Sequence, residues 1–282
     1  MSTTIGVCFP NTTPNTSLTV EQFALLPGSS VRVQANVGDP GRTQLLRNVR
    51  HAGKIPHVLL MPPNEQHPTQ QYAATLAMAI EMLDDFPEIQ VVELGNEPCY
   101  HTTQGEYADF ANALAGQIRL LYQKPSIAVA CDWVSADARS YIQGGRWWDG
   151  KSGLFSKTIG LKHLLDWSLF DLLAVHPYRP PLAPEESPLF GSRAKELAAY
   201  RQMAQGKGLI ATETGWALTG KTGLPADTVG QYVEREVRLL TNAGYAGVFV
   251  YQHQGPQFGI FNDDWTERPA ATALRRVVEE RL

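Results

Sequence analysis

The chain has 282 residues, 43% of them hydrophobic and 18% charged, enough for one large buried core. Its net charge of −4 gives no electrostatic basis for binding nucleic acid or an anionic membrane surface, and no apolar run is long enough to span a bilayer. Cys8, Cys99 and Cys131 are too few for a disulfide framework and wrongly spaced for a zinc site, which fits a reducing compartment.

In chain order, residues 5–9 read as a short apolar strand, closed by Pro10 and the turn-rich NTTPNTS. Residues 20–26 form a brief helix. VRVQAN at 31–36 alternates as a strand does, Gly38-Asp39-Pro40-Gly41 turns the chain, and 43–51 is helical. The third strand, 55–61, stops at Pro62-Pro63. Residues 70–83 repeat Ala, Leu and Met at helical spacing. The fourth strand spans 89–95, followed by a helix over 105–122 and a fifth strand, SIAVAC, over 126–131. A long stretch at 132–157, rich in Gly, Trp and Ser, precedes a short helix at 158–167; a loop of that length in a compact domain is usually functional or disordered. A sixth strand at 169–176, a Pro-rich loop at 179–188, a helix at 193–205 and a seventh strand at 208–212 follow. A helix at 226–243 with Asp227 as its N-cap, an eighth strand at 245–251 and a Pro-started helix at 269–280 complete the chain.

Eight strand–helix units without a break in composition predict a single α/β domain over residues 1–282, a (β/α)8 barrel. The competing open doubly wound sheet would show a Gly-rich phosphate loop after its first strand, and neither GxGxxG nor GxxxxGK[ST] occurs. No basic segment leading into an apolar one marks a signal peptide, so a cytoplasmic location is favoured, although a mature secreted form would read the same.

In such a barrel the C-terminal strand ends supply the chemistry. Here they offer Arg32, Asn36, Met61, Asn96, Glu97, Cys131, Asp132, His176, Tyr178, Glu213, Tyr251, Gln252 and His253, a dense polar set on otherwise apolar strands. Glu97 in VVELGNEP and Glu213 in LIATETGW stand after the fourth and seventh strands, which face each other across a barrel mouth. Two opposed carboxylates suit glycoside cleavage: one protonated to donate to the leaving oxygen, the other ionised near the anomeric carbon, about 5–5.5 Å away in retaining enzymes. Asn96 could bond the sugar 2-hydroxyl, and Tyr178 with Arg32 could orient Glu213.

These motifs resemble the clan of retaining (β/α)8 glycoside hydrolases, the cellulase-like group with catalytic glutamates after strands four and seven. The likeness covers nearly the whole chain and is carried by Asn96-Glu97-Pro98, TETGW with Glu213, His176-Pro177-Tyr178 and Arg32. It implies Glu97 as acid/base, Glu213 as nucleophile, Asn96 as the 2-hydroxyl contact, a carbohydrate substrate, and no metal or organic cofactor. The sequence departs from the group at two positions. Met61 stands where many relatives carry a strand-three His, His57 lying too early. VYQHQG offers Tyr251 and His253 in place of a Trp after strand eight.

Several residues have a structural reading beside the functional one. Glu93 reads as the partner of a buried Arg or Lys, and His176 as either a core histidine or a site residue. Asp132 suits a loop cap or a ligand contact. Trp147 and Trp148 suit sugar stacking or packing of the long loop, and the cysteines suit small buried fillers. Two other functions compete: a catalytically inactive carbohydrate-binding barrel, and a metal-dependent lyase or isomerase with Glu97 and Asp132 as ligands. Sugar identity, exo or endo action and oligomeric state are not legible in the sequence.

Overall fold

The computed structural model describes residues 3–9, 18–98, 101–133, 161–178, 181–187, 192–220 and 223–281, with residues 131–133 described by backbone alone. The β-branched and aliphatic runs become eight parallel strands: β1 (Thr4–Phe9), β2 (Ser30–Asn36), β3 (Ile55–Met61), β4 (Val91–Leu94), β5 (Ser126–Trp133), β6 (Leu172–His176), β7 (Gly208–Thr214) and β8 (Gly247–Val250). Each pairs with the next in sequence, and β8 returns to β1, so the sheet closes into a barrel with no free edge. Around it lie α1 (Val20–Leu25), α2 (Arg42–His51), α3 (Tyr72–Asp85), α4 (Gln104–Leu121), α5 (Arg193–Met203), α6 (Ala226–Asn242) and α7 (Pro269–Glu279). Among the described residues no helix is long and apolar enough to cross a membrane.

Side-chain caps open three of these seven helices. Thr19 and Gln22 make reciprocal capping bonds at α1, Thr103 caps α4 and Ser192 caps α5. Pro269 opens α7 at a position where its missing N–H costs nothing. The start of α6 differs from expectation: Pro225 is the N-cap and Asp227 lies inside the first turn, where its charge still favours the helix dipole.

The strand ends shift too. β4 is only four residues long, because Gly95 leaves the ladder with φ of 74°. β7 runs on through Glu213 to Thr214, and a register shift against β8 between Ala211 and Thr214 marks a bulge at its mouth end. Leu169 belongs to a 3-10 turn, Trp167–Leu169, and not to β6. Of the helix expected at 158–167, residues 161–167 are described and run mostly as turns into that 3-10 turn, while the long loop before it falls mostly outside the described residues.

Two apolar layers hold the barrel. The outer one packs strand faces against helices and includes Phe23, Tyr107, Phe110, Tyr200 and Trp216. The inner one fills the barrel with Cys8, Ala128, Leu172, Ala174, Ile210 and Phe249. Barrel interiors usually carry bulky branched residues. Here alanines and a cysteine leave room for four polar side chains described below.

At the opposite end the chain entering β2 runs close against β1. Gly28 has φ of 85°, and a Cβ there would sit 2.2 Å from the Ile5 carbonyl oxygen. We predict that Gly28→Ala destabilises the protein by about 2 kcal/mol or more, since both strain and a backbone clash arise. Urea unfolding of the two proteins measures it.

Candidate active site

The loop after β4 is shaped before any side chain acts. The Gly95 N–H donates to the Leu60 carbonyl at 3.0 Å. The Tyr107 hydroxyl donates to the Leu94 carbonyl at 2.6 Å and accepts from the Ala130 N–H at 2.9 Å, tying α4 to the ends of β4 and β5. Glu97 itself adopts φ of 43°, a left-handed conformation that costs a non-glycine residue about 1 kcal/mol. Across the barrel, the Tyr178 N–H donates to the His176 carbonyl at 2.9 Å, a tight turn over Pro177 that directs the chain after β6.

Arg32, in the third position of β2, lies inside the barrel and is 5% exposed. Its Nε donates to Glu93 Oε2 at 2.7 Å and its Nη2 to Glu93 Oε1 at 3.1 Å. Its Nη1 donates to Glu213 Oε1 at 2.7 Å, and Nη2 also reaches Asn96 Oδ1 at 3.2 Å. One guanidinium thus engages β4, the loop after it and β7. The other oxygen of Glu213, Oε2, accepts from the Tyr178 hydroxyl at 2.9 Å. The Glu213 carboxylate is fixed at both oxygens. Asn96, having spent its carbonyl on Arg32, keeps its amide N–H groups as donors.

His176 stands between the carboxylates. Its Nδ1 lies 2.8 Å from Glu97 Oε1 and 3.9 Å from Glu213 Oε2, so these two oxygens are at most about 7 Å apart. Its Nε2 contacts the Thr212 hydroxyl at 3.1 Å, and that hydroxyl donates to Glu93 Oε1 at 2.9 Å. Glu93 is 3.9 Å from Nε2, beyond direct bonding, so Thr212 bridges them. Burial opposes a charge on His176, but the carboxylates of Glu213, Glu93 and Glu97 outweigh it and raise its pKa to about 10. At neutral pH the ring is an imidazolium and both nitrogens donate.

Glu93 is fully buried. Desolvation would keep it neutral, yet Arg32, His176 and His57 hold it well below the usual carboxylate range. The reading of Glu93 as the partner of a buried Arg holds. Burial and the Glu213 charge push the Tyr178 phenol well above its ordinary value and Tyr251 up to about 12, so both remain hydroxyl donors. Tyr178, Tyr251 and Phe258 meet edge to face, with ring centroids 5.8–6.2 Å apart, as an aromatic wall beside Glu213.

The structure brings Arg32, Asn96, Glu97, His176, Tyr178 and Glu213 into one bonded cluster, with Tyr251 against it. His253 lies apart, between Phe9 at 4.7 Å and Trp265 at 6.0 Å, and burial lowers its pKa to about 4. Asp132 lies in β5, whose last three residues are described by backbone alone, and Trp147 and Trp148 lie outside the described residues. Cys8 is a buried free thiol donating to the Thr212 carbonyl at 3.0 Å, and Cys99 lies outside the described residues. Sequence reasoning missed Thr212 and Phe258. Thr212 carries a signal, since a polar residue in an apolar strand one place before Glu213 needs a buried partner. Among the described residues no three His, Cys, Asp or Glu side chains are grouped to hold a metal ion.

Two outcomes follow. Arg32→Met removes the cation from a buried pair and leaves Glu93 uncompensated, which should cost about 3–5 kcal/mol in urea unfolding. His176 has a raised pKa in the folded state, so its stabilising contribution is complete below its unfolded pKa of about 6.5 and is lost as pH rises through about 10. A plot of unfolding free energy against pH from 6 to 10 should fall for the wild type more steeply than for His176→Asn.

No protein-family model matches the chain, and no curated protein matches it in sequence. Solved structures do match. A family 39 glycoside hydrolase from the gut symbiont Bacteroides cellulosilyticus WH2 superposes with a TM-score of 0.70 at 17% identity, over 97% of this chain and 63% of that one. The chain therefore spans under two thirds of that protein's length. A glucosidase from Croceicoccus marinus gives 0.69 at 13% identity, over 99% of this chain and 68% of that one. A family 17 β-1,3-glucanosyltransferase from Rhizomucor miehei gives 0.66 at 14% identity, over 95% and 96%. The chain has the closed eight-stranded α/β barrel fold that these glycoside hydrolases share.

Proposed function

We propose that the protein is a retaining glycoside hydrolase acting on β-glycosidic bonds of an oligo- or polysaccharide. The observation that carries this reading is Glu213, a carboxylate held at one oxygen by Arg32 and at the other by Tyr178, opposite Glu97 on the far side of His176. An anion so oriented suits attack on carbon better than activation of a loosely held water. The glycoside hydrolases that share the fold support the general class.

In the first step a Glu213 oxygen forms a bond to the anomeric carbon while the bond to the leaving oxygen breaks, and Glu97 gives that oxygen its proton. In the second, water attacks the anomeric carbon, Glu97 takes the water's proton, and the ester bond to Glu213 breaks. Asn96 donates to the sugar 2-hydroxyl oxygen, a contact that strengthens as the ring flattens. His176 Nδ1, 2.8 Å from Glu97 Oε1, holds that carboxyl in place between the two sides of the mouth. The Tyr178–Tyr251–Phe258 wall offers an apolar face to the sugar where a Trp is absent.

The test is reaction with 2-deoxy-2-fluoro β-glycosyl fluorides of several sugars, followed by peptide mass mapping. A label on Glu213 is the expected result and would identify the sugar. A label on a different carboxylate removes the assignment and keeps the class; no label from any sugar on folded protein favours a carbohydrate-binding barrel. Glu213→Gln should lower kcat on the order of 10⁴-fold or more while leaving oligosaccharide affinity within a few-fold.

A further inference from the structure

The mouth holds a hydrogen-bond donor that the bonded cluster does not use. Tyr251 directly follows β8, and its backbone N–H donates to the Thr214 carbonyl at 2.8 Å, which fixes it beside the strand end that carries Glu213. Its ring packs edge to face on Tyr178 at 6.2 Å and on Phe258 at 5.9 Å. The two tyrosines differ in what their hydroxyls do. That of Tyr178 is spent on Glu213 at 2.9 Å. That of Tyr251, a half-buried residue, makes no hydrogen bond among the described residues and is not sealed from solvent. Burial and the Glu213 charge push its pKa up to about 12, so it stays a donor at neutral pH.

Its place around the barrel says which part of a sugar it meets. In a closed ring of eight strands, β4 and β8 are four strands apart either way round, so they face each other across the mouth. Asn96 follows β4 and keeps its amide N–H groups for substrate, assigned above to the 2-hydroxyl. In a six-membered sugar ring the atom opposite C2 is C5. A hexose carries its C6 hydroxymethyl group there, and a pentopyranose carries nothing but hydrogen. A ring with its 2-hydroxyl on the Asn96 side therefore turns its C5 edge towards Tyr251.

We propose that Tyr251 is a specificity-determining residue: its hydroxyl donates to the 6-hydroxyl oxygen of the sugar that Glu213 attacks, which makes the substrate a β-hexoside and not a pentoside. This inference rests on the glycosidase reading above and narrows it. A phenol suits the contact, since its ring covers the apolar C6 methylene while its O–H supplies the bond. Phe258, the neighbouring ring of the wall, offers only the first of these. A sugar without the 6-hydroxyl would cover the donor and leave it unpaired, which is the physical basis of the discrimination.

The test compares kcat/KM for the 4-nitrophenyl β-D-glucoside, β-D-galactoside and β-D-mannoside, each against its 6-deoxy counterpart, in the wild type and in Tyr251→Phe. The variant keeps the ring and removes one oxygen. For the sugar turned over fastest, the wild type should favour the 6-hydroxyl compound about fivefold, the value of one hydrogen bond. Tyr251→Phe should erase that preference and leave the 6-deoxy rate within about twofold, an outcome that a merely structural role for Tyr251 would not give. Equal wild-type rates within that pair, or a preference that survives in Tyr251→Phe, would overturn the proposal and leave the glycosidase reading standing. No turnover of any of these compounds also overturns it, and labelling of Glu213 by the fluorides described above then decides whether the glycosidase reading falls with it. The wild-type comparison needs no variant and stands if Tyr251→Phe fails to fold.

Discussion

The structure turns on one guanidinium. Arg32 is enclosed by the barrel and would be intolerable there without partners. It meets four acceptor atoms from three places in the sequence: both oxygens of Glu93, one of Glu213 and the Asn96 carbonyl. Because a guanidinium is planar and its N–H directions are fixed, satisfying it sets the relative positions of β4, β7 and the loop after β4. A lysine would supply the charge without the fork. The opposed placement of Glu97 and Glu213 thus depends on a residue whose bonds to Glu93 leave it little freedom to move.

This arrangement is costly, and the composition of the barrel interior reflects the cost. Arg32, Glu93, His57 and His176 occupy space that branched aliphatics would fill, and Cys8, Ala128 and Ala174 make the room. A well-packed apolar core of the same volume is commonly as stable as a buried ionic one, or more so. Fold stability is therefore carried by the outer layer, where the helices cover the sheet with Phe23, Tyr107, Phe110, Tyr200 and Trp216. The inner layer is free to be polar because the outer layer does not need it.

The barrel and the two glutamates were legible because each is written locally. An apolar strand that ends in Asn–Glu–Pro, and another that ends in Glu–Thr–Gly, announce both strand and mouth through the period-two pattern and the chain-breaking residues after it. Glu93 was legible for the same reason, as a charge inside an apolar run. His57 was set aside as too early in its strand, and its position relative to the mouth does place it low. Its contact with Glu93, two residues further along the neighbouring strand than the Val91 it pairs with, comes from barrel stagger, which no single strand encodes. Thr212 stayed hidden because a bridging hydroxyl has meaning only when Glu93 and His176 are both in place. Phe258 lies in a loop whose path is set by pairing with Tyr251 and its neighbours, and not by periodicity.

The polar groups of this barrel form one hydrogen-bonded column, of which the two glutamates are only the upper end. From His57 through Glu93, with Thr212 and Arg32 beside it, to His176 and the two mouth carboxylates, donors and acceptors alternate. Glu93 has no donor of its own and must be ionised, which forces the tautomer of His57 below it. The charge on His176 above is set by all three carboxylates around it. Changing the protonation of one member changes what its neighbours can offer. Met61 stands at the mouth end of β3, and the column is complete without a polar side chain there. What His57 supplies instead lies beneath Glu93, where it helps hold the base of the ion pair that orients Glu213.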